Sequence, residues 1–558
     1  MGETPSTFHP SFNAGVVIES RVERLTSDAG AVIVREVMER SGIIEWLTER
    51  LHDPRQPYLV TYPLADLLRT MLLLFAQGWR DQDDADALRL DPALRLAAAG
   101  TRSTTPLAEG AHLASQPTLS RLLDILTLEP NRPVLREAVG ELAARRLRAE
   151  RGGHKLRYLT VDVDGLPVEV HGAQPGSAWN GHYHQRMYHP IIACAAETGD
   201  LLDARLRPGN AHTAEGALDF VLDLVDRLEG SMCQVAAVRM DAGFPEERLL
   251  AGLERRGTPY VARLRNNRAL DRLAGPYLKR PPGRPPAEPR LWLHELEYQA
   301  GPWSRPRRVV LVVKERPDDL LLDHFWLLTS FSAAAVPAED LLAQYRQRGT
   351  AEGHFGELMD VLAPTLSSAP RTKSRYRDNP LPALPTGINA AARNEAILLL
   401  HLLAYELMHA GRRAMELATH TGWSLRRFRE RVLRVGGRVL STPAASPSSS
   451  PRPPQASGAP SGPASSASPG RVPEASLHPT LCVAPIPASI SGGRAHMPAT
   501  GVNHAANLAA EPPHALNGRQ ILREGASRRP WRPACHLTSP ETASMRPSVN
   551  TAGAYESG

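Results

Sequence analysis

Residues 158–165 read Tyr-Leu-Thr-Val-Asp-Val-Asp-Gly, and the fold turns on this octet. Apolar and β-branched residues alternating with polar ones predict a strand. Successive side chains of a strand face opposite ways, so Leu159, Val161 and Val163 turn to a core while Asp162 and Asp164 emerge together on the other face. Two carboxylates on one face repel unless cations or donors compensate, and hard oxygen ligands of this kind suit Mg²⁺ or Mn²⁺. The Asp164-Gly165 pair also fits an Asx-type turn, which needs no metal.

Downstream, strand-like runs at 157–164, 188–196, 201–207, 233–240 and 259–264 alternate with helical runs at 213–229 and 245–256. Leu218, Val221, Leu224, Val225 and Leu228 keep the helical period in the first of these. The order βββαβαβ predicts an α/β fold built on a ribonuclease-H-like mixed sheet. Asp241 ends the run Val235-Ala-Ala-Val-Arg-Met240. Open α/β sheets place ligands at the carboxyl ends of strands, although a turn or helix-capping aspartate fits there too. Residues 266–322 interrupt the alternation with Arg280-Pro-Pro-Gly-Arg-Pro-Pro286 and strand-like runs at 291–298 and 308–313, a β-rich insertion. Phe325-Trp-Leu-Leu-Thr-Ser330 returns to the sheet, and Ala390–Met415 carries a long apolar helix.

A helix over 338–360 sets Tyr345, Arg348, Glu352 and Met359 close to one face. That face presents a phenol, a guanidinium and a carboxylate, a pattern that a solvated amphipathic surface also gives. Glu357 and Asp360 are further acids nearby. Asp164, Asp241 and Glu352 together suit two-metal phosphodiester chemistry, in which paired ions activate the attacking oxygen and stabilise the leaving one. Tyr345 and Arg348 would then hold DNA phosphates.

Upstream, residues 1–27 form an extension and 28–150 a helical domain with Val34, Val37, Met38, Ile44, Leu47 and Leu51 at helical spacing. Leu64 to Ala76 is a second apolar segment, and Ser115 or Thr118 caps a helix with Leu119, Leu122, Leu123 and Leu126 along one side. Such a module serves helix packing and DNA binding equally well. The sheet is expected to occupy 155–265 and 323–440, the second part with C-terminal helices. From 441 to 558 the chain is rich in Ser, Pro and Ala, with 19 of the 50 prolines, and cannot bury enough apolar surface to order itself. This disordered tail reads equally as a functional linker or as the product of a frameshift.

The formal charge of +6 on 558 residues is compatible with a polyanionic partner without requiring one. Only four of the 65 basic residues are lysine, a bias that a GC-rich genome explains as well as phosphate binding does. Cys194, Cys233, Cys482 and Cys535 lack the spacing of a thiolate zinc site or disulfide framework, which fits a reducing cytoplasm. Apolar runs such as Met71–Ala76 are far short of the roughly 20 residues that cross a bilayer, so no membrane partner is expected. His182, His184 and His189 lack an evident fourth metal ligand and read as a polar loop beside the site.

Tyr345-x2-Arg348-x3-Glu352-x6-Met359 resembles the C-terminal signature of bacterial insertion-sequence DDE transposases, the branch ending Tyr…Arg…Glu…Lys. Val238-Arg-Met-Asp-Ala-Gly-Phe244 resembles that group's second-aspartate motif, and Asp162-Val-Asp-Gly…Val170-His-Gly-Ala-Gln174 its first. Trp179-Asn-Gly-His-Tyr183…Tyr188-His-Pro190, Leu206–Asn210, Asp81–Arg89 and Leu113–Arg121 also match, and the resemblance covers roughly residues 20–440. It implies a catalytic triad of Asp164, Asp241 and Glu352, with Asp162 as competing first member, on a ribonuclease-H-like core. It implies Mg²⁺, with Mn²⁺ as a possible substitute, and double-stranded DNA partners: terminal inverted repeats and target DNA, engaged by a homodimer in the bacterial cytoplasm at the nucleoid. The implied activity is metal-dependent cleavage and strand transfer that moves the element by cut and paste. Met359 stands where the signature has lysine, and Leu166 where a threonine often follows the first acid. An impaired remnant that binds element ends without moving them is therefore the alternative, and whether an excised end passes through a hairpin is open.

Overall fold

The 158–165 octet forms strand β1 (Tyr158–Gly165) in a computed structural model. The structure describes residues 7–8, 18–19, 25–80, 82–100, 112–283, 286–317, 319–368 and 390–439. All of them fall in the first of two units, Met1–Pro453. The tail from 441, most of the 1–27 extension and Asp81 lie outside the described residues.

After β1 come β2 (Val168–Glu169), β3 (Ala178–Asn180), β4 (Gln185–Tyr188), β5 (Ile191–Ala195), β6 (Leu201–Arg205), β7 (Gln234–Met240), β8 (Tyr260–Leu264), β9 (Arg290–Tyr298), β10 (Arg307–Glu315) and β11 (Asp323–Thr329). An eight-stranded sheet runs in the order β9-β10-β11-β8-β7-β1-β5-β6, and β2-β4-β3 form a small separate sheet. Within the large sheet β7 is parallel to both β1 and β8, and the other pairings are antiparallel. The strands of the expected insertion, β9 and β10, thus continue the large sheet. The single strand expected over 188–196 is two. Pro190 has no N–H for a ladder and His189 N donates to Arg207 O at 3.0 Å, so β4 and β5 part company there.

Among the described residues, the helices of eight or more residues before β1 are α1 (Ala31–Ser41), α2 (Ile43–Arg50), α3 (Leu64–Gln77), α4 (Gln116–Leu126) and α5 (Asn131–Glu150). Those of such length after it are α6 (Ala217–Ser231), α7 (Glu247–Arg256), α8 (Ala338–Arg346), α9 (Arg348–Glu357) and α10 (Ala392–Thr419). Helix α3 is apolar on nearly all sides and correspondingly buried almost throughout, with α10 packed on it. Among the described residues no helix is long and apolar enough to cross a membrane.

The two faces of the sheet are covered differently. On one, Leu159, Val161 and Val163 join Phe220, Val221 and Leu224 of α6 and Leu249, Leu250 and Leu253 of α7 in a continuous core. On the other, the apolar layer is split. Ile192, Cys194, Leu201 and Ala204 pack with α3, α5 and α10. Val261, Val310, Val312 and Leu327 pack with Leu341 and Leu342 of α8. The strands β1 and β7 lie between these two clusters, and towards their carboxyl ends this face carries Asp162, Asp164 and Arg239. A polar seam therefore runs between two apolar blocks.

Candidate functional site

Strand register brings the two aspartates of the site together. Parallel pairing of β7 with β1 sets Arg239 opposite Asp162 and Met240 opposite Val163. Continued by one residue, it puts Asp241 beside Asp164, about one strand spacing away (~5 Å) at the carboxyl ends of both strands. Asp241 is partly exposed and its side chain makes no hydrogen bond or ion pair among the described residues.

Arg348 supplies the third element. Its Nη2 donates to Asp164 Oδ2 at 2.6 Å and its Nη1 to Glu352 Oε1 at 3.2 Å. One guanidinium thus bridges a strand end and a helix. Burial pushes the Asp164 carboxyl up to about 6, with the charges of Asp241 and Glu352 adding and Arg348 opposing. Burial opposes the Arg348 charge, but Asp164, Asp241, Tyr345 and Glu352 outweigh it and push its pKa up. The turn reading of Asp164-Gly165 is also partly realised, since Gly165 N donates to Asp164 Oδ1 at 2.8 Å.

The helix expected over 338–360 is interrupted. α8 ends at Arg346, Gln347 forms a turn, and α9 resumes at Arg348. Gly349, Gly353 and Gly356 make α9 intrinsically weak, and it widens into a π-helical turn at Leu358–Leu362. Tyr345 therefore sits on α8, with Arg348 and Glu352 on α9. Burial first, then the charges of Asp241 and Asp164, raise the Tyr345 phenol to about 12, against the opposing pull of Arg348 and Arg263, so it stays a hydroxyl. Met359, at the signature's lysine position, is partly buried and packs against the helical core. Glu357 is taken by Arg412 at 2.6 Å and by Leu425 N at 2.9 Å, and Asp360 is exposed.

Asp162 and Asp164 share a face but not an environment, a correction to the expectation that both emerge together. Asp162 is 1% exposed and accepts both Nε and Nη2 of Arg239 at 2.6 Å. Burial pushes its carboxyl upward while the Arg239 fork pulls the other way. Arg239 Nη1 also donates to Gln344 O at 2.5 Å, tying the end of α8 to the sheet. Sequence reasoning assigned Arg239 no role. The available signal was an arginine inside an otherwise apolar strand, which must find a buried partner.

The loop of His182, His184 and His189 does lie beside the site. His189 packs on the residue after Asp164, because a Cβ on Gly165 would stand 2.6 Å from its Nε2. Tyr183 meets the His189 ring edge-on at 6.4 Å. Burial raises the Tyr183 phenol, and the charges of Asp164 and Asp241 add to the shift. As these side chains stand, among the described residues no group of three or more His, Cys, Asp or Glu is close enough to hold a metal ion. Arg348 is the cation that bridges Asp164 and Glu352 in this conformation.

The family described as Transposase DDE domain group 1 matches residues 8–374. No curated relative matches the chain. Among solved structures, a cryo-EM structure of a piggyBac transposase synaptic complex with hairpin DNA is similar with a TM-score of 0.34 and 13% identity, over 72% of this chain and 79% of that one.

Proposed function

Since this chain belongs to the transposase family of the group 1 DDE domain, we propose that it cuts DNA at the ends of the element encoding it and joins those ends to a target. The observation that carries this reading is the convergence of Asp164, Asp241 and Glu352 around Arg348, at the carboxyl ends of two adjacent parallel strands. In this reading β1, β7 and β8 form the centre of a ribonuclease-H-like core, with β9 and β10 as its β-rich insertion and 28–150 as the accessory helical domain.

The donor set fits a divalent cation. Asp164, Asp241 and Glu352 are hard oxygen donors gathered about one guanidinium, and a divalent cation would take its place between them once Arg348 withdraws. Burial first, then the charges of Asp241 and Glu352, raise the Asp164 carboxyl to about 6. Asp164, Asp241 and Glu352 would hold Mg²⁺, or Mn²⁺ in its stead, and the ion would supply Lewis-acid activation of the attacking oxygen and stabilisation of the leaving one. Arg348 presents a fork suited to bidentate phosphate contact once it leaves the carboxylates. Tyr345, held as a phenol, would donate one hydrogen bond to a phosphate oxygen of the DNA. Asp162 carries no part of the chemistry and holds Arg239. The DNA partners are terminal inverted repeats and target, engaged by two copies of the chain in a bacterial cytoplasm.

The test uses the purified full chain and duplexes carrying the DNA that flanks its coding sequence. Mg²⁺ or Mn²⁺ is expected to give strand cuts leaving 3′-hydroxyl ends, and EDTA to eliminate them. Specific binding of those ends without cutting in either metal would instead establish the end-binding remnant.

A further inference from the structure

The small sheet beside the carboxylates carries features that packing does not explain. β3 and β4 form a hairpin whose register pairs Trp179 with Arg186. Directly opposed residues of an antiparallel pair lie on the same face, so an indole and a guanidinium stand side by side there. Trp179 is 60% exposed and Tyr183, in the turn, 43%. Arg186 is exposed as well, its Nη1 donating to Ser177 O at 3.2 Å.

The hairpin is held rigidly. Asn180 Oδ1 accepts from His182 N at 2.9 Å and Tyr183 N at 3.1 Å, while its Nδ2 donates to Gly209 O at 2.6 Å. Gly209 permits this approach, because a Cβ there would lie 2.4 Å from the carbonyls of Ala178 and Met187. His184 completes the turn with a φ of 53°. His182 stacks edge-on against Tyr183 at 4.9 Å, and Tyr183 meets His189, which packs on Gly165. A chain of contacts therefore runs from the exposed turn to the residue next to Asp164.

Resting on the DNA-cutting reading, we infer that this hairpin is a stacking platform for unpaired bases of the strand end at the carboxylate site, with Trp179 and Tyr183 on bases and Arg186 on a phosphate. An exposed aromatic plane beside a guanidinium matches the two repeating chemistries of a single strand, its base faces and its backbone charge. A duplex hides its base faces in the stack, so the platform engages the strand only where pairing is opened. Preorganisation by Asn180 and Gly209 means that little ordering has to accompany binding.

The experiment uses the full chain and a short oligothymidylate carrying one 2-aminopurine, with a blunt duplex of the same length as comparison. Wild-type protein is expected to bind the single strand with quenching of the 2-aminopurine. Trp179→Ala and Tyr183→Ala should each weaken binding roughly tenfold and reduce the quench, with Trp179→Phe keeping most of both. Arg186→Ala should weaken binding and reduce the dependence on salt by about one ion. Tyr58→Ala, which removes an aromatic 80% exposed elsewhere, should change nothing. Unaltered binding and quench in Trp179→Ala and Tyr183→Ala, from a chain that cuts duplex ends, overturns this inference and leaves the transposase reading standing. A wild-type chain that neither binds nor cuts DNA overturns both.

Discussion

Asp241→Asn is expected to abolish strand cutting while leaving the protein at least as stable as before. The Asp241 side chain makes no hydrogen bond or ion pair among the described residues, so its neutralisation breaks no contact. Its charge does act on its neighbours, helping to lift Asp164 to about 6. Removing that repulsion lets Asp164 ionise more readily in the folded state, a gain of up to about 1 kcal/mol. The melting temperature should hold or rise by roughly 2–4 °C. Loss of a carboxylate that would hold the cation should reduce cutting on the order of a thousandfold or more, beyond the roughly 10–100-fold of outer-shell partners. Thermal unfolding and end cutting, measured on one preparation, check both halves. A fall in melting temperature with activity retained would assign Asp241 to the turn that starts at its own carbonyl, where Phe244 N donates at 3.2 Å.

Arg239→Ala is expected to have the opposite signature, a large loss of stability. It leaves Asp162, 1% exposed, as a buried carboxylate without its partner. Breaking such a pair from one side costs about 3–5 kcal/mol, here together with the bond to Gln344 O. Replacing both members with apolar residues of similar size, Asp162→Leu with Arg239→Met, should recover most of that stability. Cutting should recover less completely, because the tie holding α8 is still missing and α8 leads into Arg348. Melting temperatures of the single and double variants decide this. A single variant within a degree of wild type would show that the seam tolerates a lone carboxylate and that the pair does not set the position of α8.

These two residues also show where sequence was sufficient and where it failed. Strand β1, the helical period of Leu218 to Leu228 and the placement of Asp241 at a strand end are local properties, written in alternation and spacing. Choosing between Asp162 and Asp164 is not local, since both sit on one face of one strand. The register of β7, which sets Arg239 opposite Asp162, gives the two their different surroundings, and register is a long-range property. The apolar pattern passes through the break at Gln347 and so does not mark it, although the glycines of α9 signal a weak helix. The helical period sets Met359 close to the face of Tyr345, Arg348 and Glu352, whereas the structure packs it on the helical core. The split at His189-Pro190 had a plain signal in the proline. The tail, 441–558, and its two readings lie outside the described residues.

The most direct test of the account is excision of a marked element bearing the DNA that flanks this coding sequence, supplied with Asp164→Asn or Asp162→Asn. The account predicts no excision with Asp164→Asn at normal melting temperature, and continued excision with Asp162→Asn, whose amide oxygen still accepts from Arg239. Wild-type excision by Asp164→Asn, or a folded Asp162→Asn chain that cannot excise, would contradict it.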